Sequence, residues 1–416
     1  MRPLCLSKKK LTSGGEIMAT DNVVSFQSAA RAPSAGRRLI PGRLRDARRA
    51  ARLTQEELGL RSDVTRQSIS SYEAGAKTPD PATFSKIVEA LGQPPAYFTS
   101  ENRETFGATS PRFFRKVGPE TLRRHEACSV LGEWFAQTAY YLDSFINYPE
   151  VNLPEVAAAD PSGRYSDEEI EAAAELTRKQ WGLGLGPISN IVALVEKNGV
   201  VTCHYEMTGE KIDAFSFWNG SRPFIFMASE KEAGVRRRYD VAHEAAHLIL
   251  HRWIEAEELL NPKTLKAIEA EADRFAGALL LPRKSFPNEV YTARLDAFLD
   301  LKLRWRVSIQ AMVYRCKNLE LIDDNQFTNL YKQISFRRWR SKEPMDDPDV
   351  IRIEQSRMLG QCMEPVMKAG KKHPDEVCAD IALSPGLIAA FCNMPVSAFV
   401  QPDTDHSAPE GSPSLK

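Results

Sequence analysis

Residues 241–251 read VAHEAAHLILH, and this stretch decides how the largest part of the chain folds. His243 and His247 are four positions apart, so a helix presents both imidazoles on one face. Apolar residues fill the rest of the stretch, as a buried helix requires. Two imidazoles at this spacing suit Zn²⁺, and Glu244 lies close enough to act on water at the metal without binding it. The stretch therefore predicts a metal site on a buried helix.

A catalytic zinc ion needs a third protein ligand and an open position. Glu269 is the candidate, because it follows His247 on a second predicted helix over residues 264–281. Asp273 is four residues further on the same helix face, where it can accept a hydrogen bond from a ligand imidazole. Glu271 points elsewhere and is the lesser candidate. Zinc is the expected ion, and manganese stays open because His₂Glu sites also hold it.

Other polar residues near this stretch have less defined roles. His251 continues the four-residue spacing, but no glycine turn separates it from His247, so it is interpreted as a packing residue or a neighbour of the ligands. Peptide hydrolysis would also need a group that stabilises an oxyanion. Tyr205, Tyr239 and His204 are all candidates for that group, and the sequence does not choose between them.

The run from Arg236 to Pro282 resembles the ImmA/IrrE family of metallopeptidases. The resemblance rests on RRRYD before AHEAAH, on Glu269-x-x-x-Asp273 and on Ala276-x-x-Leu279-Leu280-Leu281-Pro282 at the end of the second helix, and it extends over roughly residues 165–340. It implies that His243, His247 and Glu269 bind zinc and that Glu244 is catalytic. One departure is Ala246, where glycine is usual. The implied activity is metal-assisted peptide hydrolysis, and family members act on helix-turn-helix repressors.

A second pattern precedes this one, over residues 43–98. Thr54 and Glu57 form a predicted capping box at the start of one helix, and Thr65 is placed to cap the next. The outer face of that second helix carries polar side chains suited to base edges in a major groove: Arg66, Gln67, Ser70 and Ser71. Seven arginines between residues 37 and 52 predict a basic approach to phosphate.

This pattern resembles the Cro/C1-type (XRE) helix-turn-helix family. The resemblance implies that a double-stranded DNA operator is bound. The implied DNA-binding residues are Gln55, Thr65, Arg66, Gln67, Ser70, Ser71 and Lys77, of which Gln55 and Lys77 contact phosphate. Asp63 departs from the glycine usual in the turn, but Asp tolerates the left-handed conformation. Gly59 replaces the usual alanine at a close-packed position.

Composition excludes several classes of protein. The 55 basic and 55 acidic residues balance, so net charge indicates no acidic partner. Seven scattered cysteines without a CxxC pair argue against a disulfide framework or a cysteine metal site and favour a reducing cytoplasm. No apolar run approaches the ~20 residues of a membrane span. No secretory signal is visible, and Met18 offers an alternative start.

The sequence predicts a mainly α fold with a small β-sheet, of the α+β class. A helix-turn-helix domain of four to five helices precedes a zincin-like domain and a small, separate helical module. The predicted segments are a disordered tail (1–38), the helix-turn-helix domain (39–100), a helical connector (101–164), the peptidase domain (165–342), the helical module (343–400) and a second disordered tail (401–416). Residues 377–385 of the module echo the start of a helix-turn-helix, although a packing or dimerisation unit is the preferred interpretation.

These features predict a DNA-binding regulator that is also a zinc endopeptidase and cleaves a repressor or itself in response to a signal. Glu244 favours this reading, because a sensor has no need of it. A non-proteolytic transcription factor, whose peptidase-like domain senses a ligand or dimerises, is the alternative, favoured by the fused DNA-binding domain. An antitoxin-like regulator and a homodimer stay open.

Overall fold

The computed structural model of the chain describes residues 38–100, 119–160, 162–205, 214–228 and 233–400. Apart from Arg38, the two predicted tails lie outside these ranges, as do residues 101–118 of the predicted connector. The predicted α+β fold class is confirmed, with many helices around one three-stranded sheet.

The N-terminal bundle consists of α1 (Pro41–Ala50), α2 (Gln55–Ser62), α3 (Arg66–Glu73), α4 (Pro81–Leu91) and α5 (Pro95–Thr99). The predicted capping box is confirmed, because Thr54 and Glu57 exchange backbone-to-side-chain hydrogen bonds. Asp63 adopts the left-handed conformation with φ 56° and ends α2. Gly59 is tightly packed, since a Cβ there would lie 2.7 Å from the carbonyl oxygen of Val64. These contacts set the angle between α2 and α3.

A sheet separates two hydrophobic cores in the rest of the chain. The elements up to the sheet are α6 (Pro119–Asp143), α7 (Asp167–Gln180), α8 (Ile191–Lys197), β1 (Val201–Tyr205), β2 (Ala214–Asn219) and β3 (Arg222–Ala228). The strand order is β1-β3-β2, with β1 parallel and β2 antiparallel to β3. Side chains alternate between faces, so Phe224 and Phe226 enter one core while Ile225 and Met227 enter the other. The sheet is therefore buried on both faces.

Helices that carry the predicted ligands cover one face of the sheet. The elements that follow the sheet are α9 (Gly234–Leu250), a 3₁₀ turn (Glu258–Leu260), α10 (Pro262–Leu280), a second 3₁₀ turn (Phe286–Glu289), α11 (Ala297–Trp305), α12 (Ile309–Asn318) and α13 (Asp324–Phe336). Helix α9 starts seven residues before the predicted Val241. Its first residue, Gly234, lies directly against the backbone of residues 351–352, where a Cβ would come within 2.6 Å of the Ile351 carbonyl oxygen. The C-terminal segment thus shapes the start of α9.

The C-terminal helices are α14 (Met358–Lys368), α15 (Pro374–Ile381) and α16 (Pro385–Cys392), followed by a 3₁₀ turn (Val396–Ala398). The turn from α15 to α16 has the geometry of the turn from α2 to α3, with left-handed Ala382 at the position of Asp63 and Ser384 preceding the second helix. Phe391 of α16 packs against Phe135 of α6 and Phe226 of β3. The expectation of a separate module is therefore corrected, because α14–α16 share one core with α6 and the sheet.

Two findings concern the setting of the chain. Among the described helices, none combines the length and the apolar character that a membrane crossing requires. The six cysteines within the described ranges are free thiols, five of them buried.

Candidate metal centre and DNA-reading face

The three predicted metal ligands converge between α9 and α10. Nε2 of His243 lies 3.1 Å from Nε2 of His247. The two carboxylate oxygens of Glu269 lie 3.5 Å from the first nitrogen and 3.4 Å from the second. Both histidines are buried and Glu269 is partly buried. The two imidazole nitrogens and the Glu269 carboxylate thus form a triangle of groups inside the domain, in which each nitrogen lies next to a different carboxylate oxygen.

The spacing of this triangle fits a tetrahedral zinc ion. Ligand distances of about 2.0–2.1 Å imply about 3.3–3.4 Å between neighbouring tetrahedral ligands. The observed separations of 3.1, 3.4 and 3.5 Å bracket that value. Two imidazole nitrogens and a carboxylate so close together in a buried site are a donor set that a cation would stabilise. The donor set therefore fits a divalent metal with three protein ligands.

Each ligand imidazole has a partner on its other nitrogen. Nδ1 of His243 lies 2.9 Å from Oδ1 of Asp273. Nδ1 of His247 lies 2.9 Å from Nδ1 of His251, whose Nε2 lies 3.0 Å from Oε2 of Glu271. Burial holds the pKa of His251 well below its ordinary value, so the neutral ring can accept the proton of His247 and donate to Glu271. Both partnerships leave the Nε2 lone pairs directed at the centre.

Glu271 therefore has a different place from that of a metal ligand. Its carboxylate contacts His251, which in turn contacts His247. Glu271 is not one of the three residues that form the triangle. The sequence does contain a signal for the contact between His251 and Glu271, because His251 repeats the four-residue spacing of His243 and His247. Sequence reasoning assigned His251 no specific partner.

Asp273→Asn is expected to weaken zinc binding by about 10- to 100-fold, because the amide no longer accepts the Nδ1 proton as a carboxylate does. Competition with a chromophoric chelator on the purified chain measures this. Asp300→Asn on the exposed face of α11 is the matched control. Equal zinc affinity in both variants would show that Asp273 does not orient His243.

Glu244 is held by the sheet. It is 5 % exposed and its Oε2 accepts a hydrogen bond of 2.6 Å from Oγ of Ser216 on β2. Sequence reasoning missed Ser216, because nothing in its strand distinguishes it from any other small polar residue. The contact fixes to β2 the carboxylate that directly follows His243 on α9.

The three candidates for oxyanion stabilisation lie in different places. Tyr205 packs against Phe226 and Phe391, in the core on the far side of the sheet. His204 is buried and accepts a hydrogen bond from the backbone of Ser356, and burial lowers its pKa to about 3. Tyr239 donates to the carbonyl oxygen of Asp273 and thus joins α9 to α10 beside the ligands. Of the three, Tyr239 is the one that contacts Asp273, the residue beside the predicted ligand His243.

The predicted base-reading residues lie at the surface of the N-terminal bundle. Thr65, Arg66, Gln67, Ser70 and Lys77 are exposed, and Ser71 is half-buried with its hydroxyl bonded to the carbonyl of Gln67. Thr65 caps α3 by accepting from the backbone of Ser68, as predicted. The start of α3 is thus a fixed polar surface of the size that enters a major groove.

The basic surface predicted from the arginines between residues 37 and 52 is smaller than the sequence suggested, because several of these arginines contact other helices. Arg43 is buried with its guanidinium over the ring of Tyr97. Arg48 pairs with the buried carboxylate of Glu73, and Arg49 pairs with Glu126 of α6. These side chains hold helices together, because each contacts an acceptor or a ring on another helix. Periodicity alone could not separate them from surface arginines.

Gln55 also belongs to this network. Its amide donates to Oε2 of Glu73 at 2.9 Å, while Arg48 binds both carboxylate oxygens. Gln55 therefore joins α2 to the end of α3 and fixes the angle at which the bundle presents α3. Its predicted phosphate contact stays a prediction.

The fold and the site define two classes of domain in one chain. A helix that carries two histidines and a glutamate over a mixed sheet, with an acidic third ligand on the next helix, is the arrangement of zincin-like metallopeptidases. The N-terminal bundle is a helix-turn-helix domain. Comparison with protein families agrees: residues 195–317 match the peptidase family described as the IrrE N-terminal-like domain, and residues 44–98 match the family described as helix-turn-helix. The chain thus joins an XRE-type helix-turn-helix domain to an ImmA/IrrE-like peptidase domain. A search of curated proteins finds no match.

Proposed function

We propose that the chain is a cytoplasmic transcriptional regulator and a zinc-dependent endopeptidase, which binds an operator and cleaves a helix-turn-helix repressor or itself. The observation that carries the proteolytic half is the triangle of His243, His247 and Glu269 with tetrahedral spacing. Glu244 next to it supplies the acid–base group that hydrolysis requires.

Each residue of the site has a separate role in the proposed hydrolysis. His243, His247 and Glu269 would hold the zinc ion, which supplies Lewis-acid chemistry to water and to the scissile carbonyl. Glu244 takes a proton from the attacking water and delivers it to the leaving amine. Ser216 keeps the Glu244 carboxylate in one orientation through its 2.6 Å hydrogen bond. Burial of Glu244 keeps bulk water away from this proton transfer.

The operator-binding half rests on the exposed start of α3. Arg66 and Gln67 carry the donors and acceptors that read base edges, and Lys77 stands where a phosphate contact is expected. The bundle is not an isolated unit, since α1 packs on α6 and Tyr97 meets Trp134 edge to face. A change in the peptidase domain can therefore alter the orientation of α3 through α6.

Arg66→Ala is expected to cost about 1–3 kcal/mol in operator binding and to relax specificity at one base position. Lys77→Ala should weaken binding evenly across sequences and reduce the slope of log affinity against log salt by about one. Selection of binding sites from random duplex DNA, followed by salt titration of one duplex, measures both effects. Lys263→Ala, at the start of α10, is the matched control. Unchanged specificity with Arg66→Ala would remove Arg66 from the base-reading set.

A non-proteolytic transcription factor is the second candidate function, favoured by the intact reading face of α3. New protein N-termini, compared between cells with the native chain and cells with Glu244→Gln under several stresses, distinguish the two. A cleaved protein that depends on Glu244 supports proteolysis and identifies the substrate. If the operator is occupied in both strains and no such terminus appears, the non-proteolytic transcription factor is the function that remains.

A further inference from the structure

Strand β2 joins helix α9 to helix α6. Its side chains alternate between the two faces of the sheet, so Ser216 points away from its neighbours Phe215 and Phe217. On one face, Oγ of Ser216 lies 2.6 Å from the carboxylate of Glu244 and 3.2 Å from its carbonyl oxygen. On the other face, Phe215 and Phe217 belong to the core that contains α6. Any displacement of α9 therefore acts on the strand that carries both rings.

Helix α6 lies on these two rings at a glycine. A Cβ on Gly132 would lie 3.2 Å from Cε1 of Phe217 and 3.3 Å from Cε2 of Phe215, closer than ordinary van der Waals contact. Glycine is unfavourable inside a helix relative to alanine. Its presence here matches the close approach of the α6 backbone to the sheet. No side chain of Gly132 separates the two, so α6 follows the position of β2.

The opposite side of α6 holds the N-terminal bundle. Trp134 follows Gly132 by two residues, which is about 200° around a helix. It meets Tyr97 of α5 edge to face at 5.3 Å, and the guanidinium of Arg43 on α1 lies 4.7 Å over the same ring. The buried residues of the bundle belong to one cluster with those of α6, the sheet and the C-terminal helices. The bundle therefore does not turn freely against α6.

Helix α1 in turn holds the reading helix α3. Arg48 of α1 binds the two carboxylate oxygens of Glu73 at 2.6 and 3.0 Å. Glu73 is the last residue of α3 and its side chain is 3 % exposed. Packed contacts thus connect Glu244 to α3 through β2, α6 and α1.

A zinc ion would act at the start of this series of contacts. His243 and His247 lie on α9 and Glu269 lies on α10, so one ion bound to all three restrains both helices. Binding that orders a protein at one site lowers the ordering cost of a second binding event elsewhere. An α3 held in one orientation loses less freedom when it binds DNA.

We propose that zinc at His243, His247 and Glu269 and the operator at α3 increase each other's affinity, and that α6 carries the coupling. The coupling rests on the proposed function, because it links the two sites which that function assigns. Coupling between two sites of one protein is typically about 5- to 150-fold in affinity. It is also reciprocal, so the operator must strengthen zinc binding by the factor by which zinc strengthens operator binding.

Two titrations of the full chain at one salt concentration measure this factor. The probe is an operator duplex obtained by selection from random DNA. Its Kd is measured with the zinc-free and with the zinc-loaded chain, and zinc affinity is measured against a chromophoric chelator with and without the duplex. Zinc should lower the Kd of the duplex at least about fivefold, and the duplex should lower the Kd of zinc by the same factor.

Gly132→Ala tests the route through α6. The added methyl group separates α6 from the two rings, while alanine remains favourable in a helix. Its zinc affinity should stay within about twofold of the native value, whereas the coupling should fall below about twofold, under the usual range for linked sites. Gly386→Ala on α16 is the matched control, since a Cβ there meets nothing within 4 Å, and it should keep the native factor.

Each contrary result identifies what is wrong. If zinc and the duplex both bind the native chain but do so independently, the coupling is refuted and the proposed function stands. If the factor persists in Gly132→Ala, the role of α6 is refuted and the effect belongs to overall stability, which circular dichroism of the zinc-free chain measures. If the chain binds no zinc or selects no duplex, the proposed function fails, and the coupling fails with it.

Discussion

Glu244→Gln is expected to lower peptide hydrolysis by about 10²- to 10⁴-fold, the usual contribution of a general acid–base group. The amide keeps the size of the side chain and can still meet Ser216, so the fold is expected to remain. The three proposed ligands are untouched, so zinc affinity should stay within about twofold, a range small beside the 10- to 100-fold effect of a lost ligand partner. Operator binding should not change, because α3 lies in another domain.

The substrate is the protein that new N-termini in cells identify. Its rate of hydrolysis is measured with the purified native chain and with the purified variant. Glu257→Gln, an exposed glutamate beyond the end of α9, is the matched control and should retain the native rate. A Glu244→Gln chain that cleaves as fast as the control would refute the assigned role, whatever its metal content.

Glu354→Ala is expected to destabilise the fold by about 3–5 kcal/mol, the effect of breaking a buried ion pair. The carboxylate pairs with the buried guanidinium of Arg238 on α9 and accepts from the backbone of Ile191 and Val192 at the start of α8. Its loss leaves a buried charge and two unpaired N–H groups. The fold should weaken at the junction of the C-terminal segment with the peptidase domain.

Urea unfolding of the full chain, followed by the tryptophan fluorescence and by circular dichroism, measures the loss. Glu364→Ala on α14 is the matched control, since Glu364 is exposed and pairs only with Lys368 at 3.5 Å among the described residues. A loss below about 1 kcal/mol, the range of an exposed ion pair, would mean that Arg238 finds another partner when Glu354 is absent.

The C-terminal helices illustrate what local patterns leave undecided. The capping of α15 and the left-handed Ala382 reproduce the turn of the N-terminal bundle, and sequence reasoning detected this echo. The side chains of α16, however, are apolar and buried, with Ile388 and Phe391 in the core below the sheet. The same local geometry thus gives α3 an exposed polar face and α16 a buried apolar face. Partners distant in sequence decide which surface is exposed.

By itself, the sequence determined the helix-turn-helix and the helix that carries His243, Glu244 and His247, because helical spacing and capping depend on neighbours three and four residues apart. Glu269 was predicted as the third ligand from its place on the next helix and from the family resemblance, and the proposed metal-binding role of these residues stays a prediction. Only the tertiary structure decided that Ser216 holds Glu244, that Glu271 serves His251, and that Arg43 and Arg48 face inward. Each of these contacts joins elements 20 or more residues apart, where no periodic rule specifies which side chains meet. Packing between elements that are distant in sequence settles them.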